Sequence, residues 1–220
     1  MDKKLFLLDA YALIYRSYYA FIKNPRINSK GLNTSAVFGF VLTLEELLRK
    51  EKPSHIAIVF DPPTPTFRHV HFPEYKAQRP PMPDDLRTSI PYIREVIKAF
   101  NISQLEKDGF EADDVIGTLS KKAEKEGFDV FMMTPDKDFA QLVSDKVRMY
   151  KPRRSGQDVE ILGKEEICEK FKITDPEQVI DILALWGDSA DNIPGAPGIG
   201  EKGAKEIIGN YGSISGIYDH

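Results

Sequence analysis

Nine carboxylates punctuate the chain: Asp9, Asp61, Glu111, Asp113, Asp114, Asp136, Asp138, Asp188 and Asp191. Each follows an apolar run or opens a helical stretch, and those are the positions an α/β chain draws to one edge of its sheet. Gathered there, like charges repel by about 1 kcal/mol at ~4 Å even in water, and by more in a partly dry cleft. A shared acidic hollow therefore needs cations. The donors are hard oxygens with no paired histidines or cysteines, which points to Mg²⁺ or Mn²⁺ rather than zinc. The four histidines, His55, His69, His71 and His220, form no convincing ligand set, and His69 and His71 read as solvated loop residues.

The elements that must position these acids are legible as patterns. Three apolar runs rich in β-formers, Lys4 to Leu8, His55 to Phe60 and Phe128 to Met133, alternate with stretches of helical periodicity. That is the pattern of a parallel βαβ sheet, so the expected fold is α/β, a central, mostly parallel sheet flanked by helices. Each run leads into aspartate, and the carboxyl ends of neighbouring parallel strands form the ligand crevice. For any one aspartate the alternative is a solvated turn or a helix cap. Ala36 to Glu51 carries Val37, Phe40, Val41, Leu44, Leu47 and Leu48 at helical spacing, as core residues. Asp84 to Phe100 is also expected to be helical, with Pro91 either kinking it or opening a fresh first turn. Ala112 to Glu126 is a helix ended by Gly127.

That helix places Glu111, Asp113 and Asp114 at its N-terminus, where the macrodipole and free N–H groups favour acids by roughly 0.3–1 kcal/mol each. One acid suffices for capping, and three within four residues exceed the need. Asp188 and Asp191 follow the helical run Glu177 to Leu185 and share a face if their segment is helical. The turn from Ile193 to Ala204 alternates glycines, Gly195, Gly198 and Gly200, before Lys202. It reads as a phosphate-binding turn offering backbone N–H groups, the alternative being a plain interhelical connection. Residues 62–83 hold seven of the fifteen prolines together with Phe67, Arg68, Tyr75, Lys76 and Arg79. This reads as a mobile basic arch suited to single-stranded nucleic acid, or else as a solvated loop.

Length and composition bound the rest. At 220 residues and 41% hydrophobic content, the chain can bury a full core, as one large domain or two small ones. Neither disorder nor a membrane span is indicated. Asp9 cuts short the apolar start, which reads as a first strand rather than a signal peptide. The single Cys168 excludes an internal disulfide, fits a reducing, cytoplasmic setting, and reads as a structural thiol. Net charge is −4, which by itself argues weakly against nucleic acid. Setting the nine acids aside leaves 25 acidic against 30 basic residues, a body of +5 around an acidic pocket.

The ordered set Leu8-Asp9-Ala10 with Tyr15-Arg16-Ser17, Phe60-Asp61, Phe67-Arg68, Tyr75-Lys76-Ala77-Gln78-Arg79, Glu111-Ala112-Asp113-Asp114, Thr134-Pro135-Asp136-Lys137-Asp138, Gly187-Asp188-Ser189-Ala190-Asp191-Asn192 and Gly198-Ile199-Gly200-Glu201-Lys202 resembles the 5′-nuclease (flap endonuclease) family across essentially the whole chain. Within that family it is most similar to the N-terminal 5′→3′ exonuclease domains of bacterial DNA polymerase I. The resemblance implies a metal-dependent core over 1–173 and a helix-hairpin-helix DNA-binding region over 174–220. It implies that Asp9, Asp61, Glu111, Asp113 and Asp114 surround a first metal and that Asp136, Asp138, Asp188 and Asp191 hold a second, partly through waters. By the same resemblance Lys76 and Arg79 would approach the scissile phosphate, Arg68 and Tyr75 would contact DNA, and Arg16 would lie near the substrate entrance or else in a surface salt bridge. The Gly195 to Lys202 turn resembles the family's duplex-gripping hairpin, which implies a potassium ion as a further cofactor.

The implied activity is Mg²⁺- or Mn²⁺-dependent hydrolysis of DNA at 5′ ends, nicks or flaps, in replication and repair, by a monomer with no membrane association. Two departures stand out. Pro135 replaces the family's usual small residue before the aspartate, and relatives continue past His220 with more helices and, in polymerase I, a fused polymerase. Rival classes are a haloacid dehalogenase-type phosphatase, disfavoured because Tyr11 stands where its second aspartate belongs, a PIN-type endoribonuclease, and a module that binds DNA junctions without cutting.

Overall fold

The computed structural model describes residues 3–152 and 159–219, so His220 lies outside the described residues. The first apolar run forms β1 (Lys4–Asp9), with Phe6 and Leu8 on one face and Leu7 on the other, all at most 1% exposed. This is the period-2 alternation of a strand buried on both faces. β1 pairs in parallel with β2 (His55–Val59) on one side and β4 (Asp129–Met133) on the other, with Asp9 opposite Val59. Three further strands, β3 (Ser103–Leu105), β5 (Val147–Lys151) and β6 (Glu160–Leu162), complete a six-stranded sheet in the order β3-β2-β1-β4-β5-β6. Only the β5–β6 pairing is antiparallel. The chain order reverses between β1 and β4, and a crevice opens at the carboxyl ends of strands flanking such a switch point.

Helices cover both faces. On one, α1 (Ala10–Ala20), α2 (Ser35–Glu51) and α4 (Asp84–Ala99) pack Ile14, Phe40, Leu44 and Ile93 against Phe6 and Ile58. Pro91 neither ends nor restarts α4, which runs through it. On the other face lie α5 (Ala112–Lys125), α6 (Lys164–Phe171), α7 (Val179–Trp186) and α8 (Glu201–Tyr211). Val179, Ile182, Ala204 and Ile208 join the cluster that holds Ile116 and Met132, so the last helices rest on the core of the sheet. Cys168 is half-buried on α6 with no disulfide partner. Two short helices, α3 (Phe67–His71) and α9 (Ile214–Tyr218), complete the set among the described residues. No described helix is long and apolar enough to cross a membrane.

Two segments differ from expectation. Residues 188–192 are not helical, so Asp188 and Asp191 do not share a helix face. Gly187 adopts φ +75°, ending α7, and Asp188 exchanges backbone hydrogen bonds with Ile193 at 2.9 and 2.8 Å, closing a tight turn. The basic segment does not stand off as an open arch either. It carries α3 and then lies across that turn, with Lys76 N donating to Asp191 O at 3.0 Å and Asn192 Nδ2 to Glu74 O at 2.9 Å. His69 is correspondingly not a solvated loop residue: its Nδ1 accepts from Thr66 N at 3.2 Å, and its ring packs edge-on to Tyr75.

Candidate metal centre

The crevice at the strand ends holds a hollow of about 380 Å³ lined by Asp9, Asp61, Glu111, Asp113, Asp136, Asp138 and Asp191, with Lys76 and Arg79 facing them. Each acid is placed by its element. Asp9 ends β1 and caps α1, accepting from Ala12 N at 3.1 Å through Oδ1 and from the Thr134 hydroxyl at 3.1 Å through Oδ2. Thr134, fully buried after β4, also accepts from Asp136 N at 3.2 Å, which ties the β1 and β4 acids into one unit. Asp61 follows β2 and accepts from Ala112 N at 2.8 Å, joining it to the start of α5. Asp136 caps the 3₁₀ turn Lys137–Leu142 by accepting from Asp138 N at 3.0 Å. Pro135 lines the hollow and leaves that cap in place.

Glu111 is the most enclosed of the set, at 5% exposure. Its Oε1 accepts from Lys76 Nζ at 2.7 Å, and its Oε2 from Tyr75 Oη at 2.8 Å, with Arg68 Nη1 3.2 Å away. Tyr75, itself buried, shares that proton with Asp191 Oδ2 at 3.0 Å. Arg79 pairs with Asp191 and donates through Nε to Ala190 O at 3.1 Å. Lys76 sits at φ +58°, a left-handed conformation. That costs of order 1 kcal/mol for a residue with a Cβ, and the Glu111 pair helps to hold it.

Two expected ligands stand apart from the hollow. Asp114 is gripped by both Arg68 nitrogens, at 2.7 and 2.9 Å, and lines a neighbouring cavity with Thr118 and Lys121. Asp188 accepts from Lys137 Nζ at 2.5 Å and from Ala190 N at 2.8 Å. Among the basic candidates, Arg68 and Tyr75 are spent on carboxylates. Arg16 does not line the hollow, and its charge interacts with Glu46 of α2. In the glycine turn, Gly195 is required for packing, because a Cβ there would meet the Trp186 backbone at 2.4 Å. Gly198 adopts φ +80° in open space, Gly200 caps α8, and Lys202 faces a separate cavity with Lys170, Lys172 and Lys205. Sequence reasoning assigned no role to Thr134 or Lys137, although a lysine between Asp136 and Asp138 was a readable signal.

The acids are held at an electrostatic cost. Burial pushes Asp9 up to about 7, with the charges of Asp61 and Asp136 adding to it. Burial likewise raises Asp61 and Asp138 and pushes Asp113 up to about 6. Burial also drives Asp188 upward, yet hydrogen bonds from Lys137 and two backbone amides outweigh it and hold that carboxyl below its usual range. Each buried anion is therefore destabilised unless a cation is near.

The residues fit hard divalent cations. The donors are carboxylate oxygens, and the buried Asp138 Oδ1 is met by the Lys137 ammonium at 3.2 Å without a well-aligned hydrogen bond. As the side chains lie, Arg68, Lys76, Arg79 and Lys137 supply the opposing charge. No three His, Cys, Asp or Glu side chains among the described residues form a ready cage.

The chain matches the family described as 5′-3′ exonuclease, N-terminal resolvase-like domain, over residues 4–172, and its companion, 5′-3′ exonuclease, C-terminal SAM fold, over 174–220. It is 44% identical to DNA polymerase I of Bacillus subtilis over 99% of its own length, but spans only 24% of that relative. It is 42% identical to a 5′-3′ exonuclease of Aquifex aeolicus, covering 98% of this chain and 72% of the relative. A bacteriophage T5 flap endonuclease, solved as a pseudo-enzyme–product complex with DNA and metal ions, superposes with a TM-score of 0.75 at 25% identity, over 99% of this chain and 78% of the other. The sheet order, the acidic hollow and these matches together establish that the chain belongs to the 5′-3′ exonuclease family.

Proposed function

We propose that this chain is a divalent-metal-dependent 5′→3′ exonuclease and structure-specific flap endonuclease, hydrolysing DNA phosphodiesters at 5′ ends, nicks and flap junctions to leave 5′-phosphates. The observation that carries the reading is the convergence of seven carboxylates from five separate segments on one hollow at the switch point of the sheet, with Lys76 and Arg79 opposite.

Asp9, Asp61, Glu111, Asp113 and Asp114 are the proposed holders of one Mg²⁺ or Mn²⁺, and Asp136, Asp138, Asp188 and Asp191 of a second. If bound there, two such ions would supply an acidified water as nucleophile and charge stabilisation for the reacting phosphate oxygens. The chain's own share is positional and electrostatic. Thr134 keeps Asp9 and Asp136 in register, and the Ala112 amide fixes Asp61. Lys76 and Arg79, paired with Glu111 and Asp191, are within reach of a phosphate entering the hollow and oppose its growing negative charge. No histidine or serine is among the described residues that line the hollow, and the nucleophile in this reading is water.

The 1–173 region is the proposed catalytic core. The 174–220 region, with the turn around Gly198, Gly200 and Lys202, is the proposed duplex grip with a potassium ion. The proposed setting is a cytoplasmic monomer in replication and repair, either beside a fused polymerase, as similarity to the DNA polymerase I relatives suggests, or without one, as similarity to the Aquifex aeolicus 5′-3′ exonuclease suggests.

The test is incubation of the pure protein with a labelled 5′-flap duplex in Mg²⁺, then in EDTA, with Asp61→Asn alongside. Metal-dependent cleavage lost in the variant supports the reading. Flap binding without cleavage in Mg²⁺ or Mn²⁺ identifies a junction-binding module instead, and preference for RNA in direct competition identifies an endoribonuclease.

A further inference from the structure

Lys137 stands between two carboxylates assigned above to the second cation. Its Nζ lies 2.5 Å from Asp188 Oδ2 and 3.2 Å from Asp138 Oδ1, and 5.0 Å from the centroid of the Trp186 ring. Asp188 is the more enclosed of the two, its side chain 15% exposed, against 34% for Asp138 and 31% for Lys137. At Asp138 the ammonium lies 3.2 Å from Oδ1, a longer and less well aligned contact than the 2.5 Å one to Asp188. The lysine thus neutralises this pair of acids while satisfying only one of them fully. A divalent ion, with twice the charge and short bonds to oxygen, serves both better.

The geometry points to Lys137 as a tethered ammonium that occupies the ligands of the second cation, so that filling this site requires the lysine to leave Asp138 and Asp188. The inference rests on the two-cation reading. Four anions, Asp136, Asp138, Asp188 and Asp191, are expected around that site, and only two of them face Lys137. The group holding Asp9, Asp61 and Asp113 has no lysine at Asp9 or Asp113, although Lys76 binds Glu111 and Arg68 reaches Asp113 at 3.8 Å. Displacement therefore separates the two affinities: the Lys137 side binds more weakly, and its occupancy depends on something that draws the lysine away. A DNA phosphate at the mouth of the hollow does this by pairing with the freed ammonium. The Lys137 side chain is 31% exposed and its backbone belongs to a 3₁₀ turn outside the sheet, so the ammonium can turn outward without disturbing a strand.

The experiment is calorimetric titration of Mn²⁺ into the full chain without DNA, in wild type, Lys137→Met and Lys137→Arg. Removal of the ammonium is expected to tighten the weaker of two sites by about tenfold, a shift of about 1.4 kcal/mol, with the stronger site unchanged and the arginine variant close to wild type. Melting offers a second readout: Lys137→Met melts lower in EDTA, and Mn²⁺ raises its melting temperature by more than it raises that of wild type. Two sites in both proteins with equal weaker-site affinities, or weaker binding in Lys137→Met, overturn the role of Lys137 and leave the two-cation reading intact. A single site in every variant overturns both. Should Lys137→Met not fold, Lys137→Gln carries the same expectations.

Discussion

Arg68 and Asp114 form a two-pronged ion pair, 2.7 and 2.9 Å, at the start of α5. The same guanidinium lies 3.2 Å from Glu111 and 3.8 Å from Asp113, so one side chain from α3 answers three acids at a single helix N-terminus. In this arrangement the Arg68 guanidinium, expected at the DNA, bridges α3 to the start of α5.

Replacement of Arg68 by alanine removes the close counter-charge of Asp114 and the cation nearest Asp113, while Glu111 keeps Lys76 at 2.7 Å. Removing one partner of a well-buried pair costs about 3–5 kcal/mol, and the 29% exposure of Arg68 lowers the expectation to about 2 kcal/mol. Urea unfolding in EDTA checks this. Arg68→Lys recovers only part of the loss, because an ammonium cannot match the fork. A residue that only contacts DNA would leave unfolding unchanged and raise KM alone.

Lys76→Ala separates chemistry from stability. Glu111 keeps Tyr75 and Arg68 as partners, so the folding loss is expected at about 1 kcal/mol. Cleavage of a 5′-flap duplex falls by about 10²-fold or more, the scale of losing one oriented charge in a water-poor site. Single-turnover rates with saturating enzyme make the comparison.

Asp9 is pushed up to about 7 in the folded, metal-free protein, against an ordinary 3.8. Between those values the folded state binds the extra proton, so stability is fully present at low pH and is lost as pH rises through about 7. Melting temperature in EDTA is expected to fall from pH 5 to pH 8, and Asp9→Asn flattens the slope. Metal uptake competes with the same proton, so Mn²⁺ affinity is expected to weaken as pH drops from 8 to 6. Proton release, read by calorimetry in two buffers, tests the coupling.

The glycines of the hairpin divide by cause. Gly195→Ala drives a methyl to within 2.4 Å of the Trp186 carbonyl, and overpacking of this kind costs about 1–3 kcal/mol, or about 2–4 °C of melting temperature for each. Gly200→Ala meets nothing within 4 Å at an ordinary φ of −96°, so it costs only the roughly 0.5–1 kcal/mol by which alanine is poorer than glycine at an N-cap, a smaller loss of melting temperature than Gly195→Ala. A weakened grip on duplex DNA in Gly200→Ala, measured by filter binding at fixed salt, then reports the phosphate contact itself.

The β1, β2 and β4 strands, the α2, α4 and α5 helices and the identity of the acids were legible in the linear chain, because periodicity and strand-end aspartates are local signals, whereas β5, as long as β2 and β4, was not read. β3 and β6, three residues each, carry too little pattern to stand out, and their place comes from pairing with β2 and β5. The 188–192 turn was hidden because Asp-Ser-Ala-Asp suits a helix as well as a turn. What closes it is Gly187 packed against Gly195, where a Cβ would meet the Gly195 amide at 2.3 Å.

By itself, then, the sequence determined an α/β chain with oxygen-rich, cation-demanding chemistry and membership in an ordered set of motifs. Tertiary structure alone decided which acids share a hollow and which are already answered. Asp114 and Asp188 have the same side chain as Asp61, yet Arg68 and Lys137 reach the first two and a backbone amide the third. Those partners lie 46, 51 and 51 residues away along the chain, and no local pattern encodes a distance that only the folded sheet brings to zero.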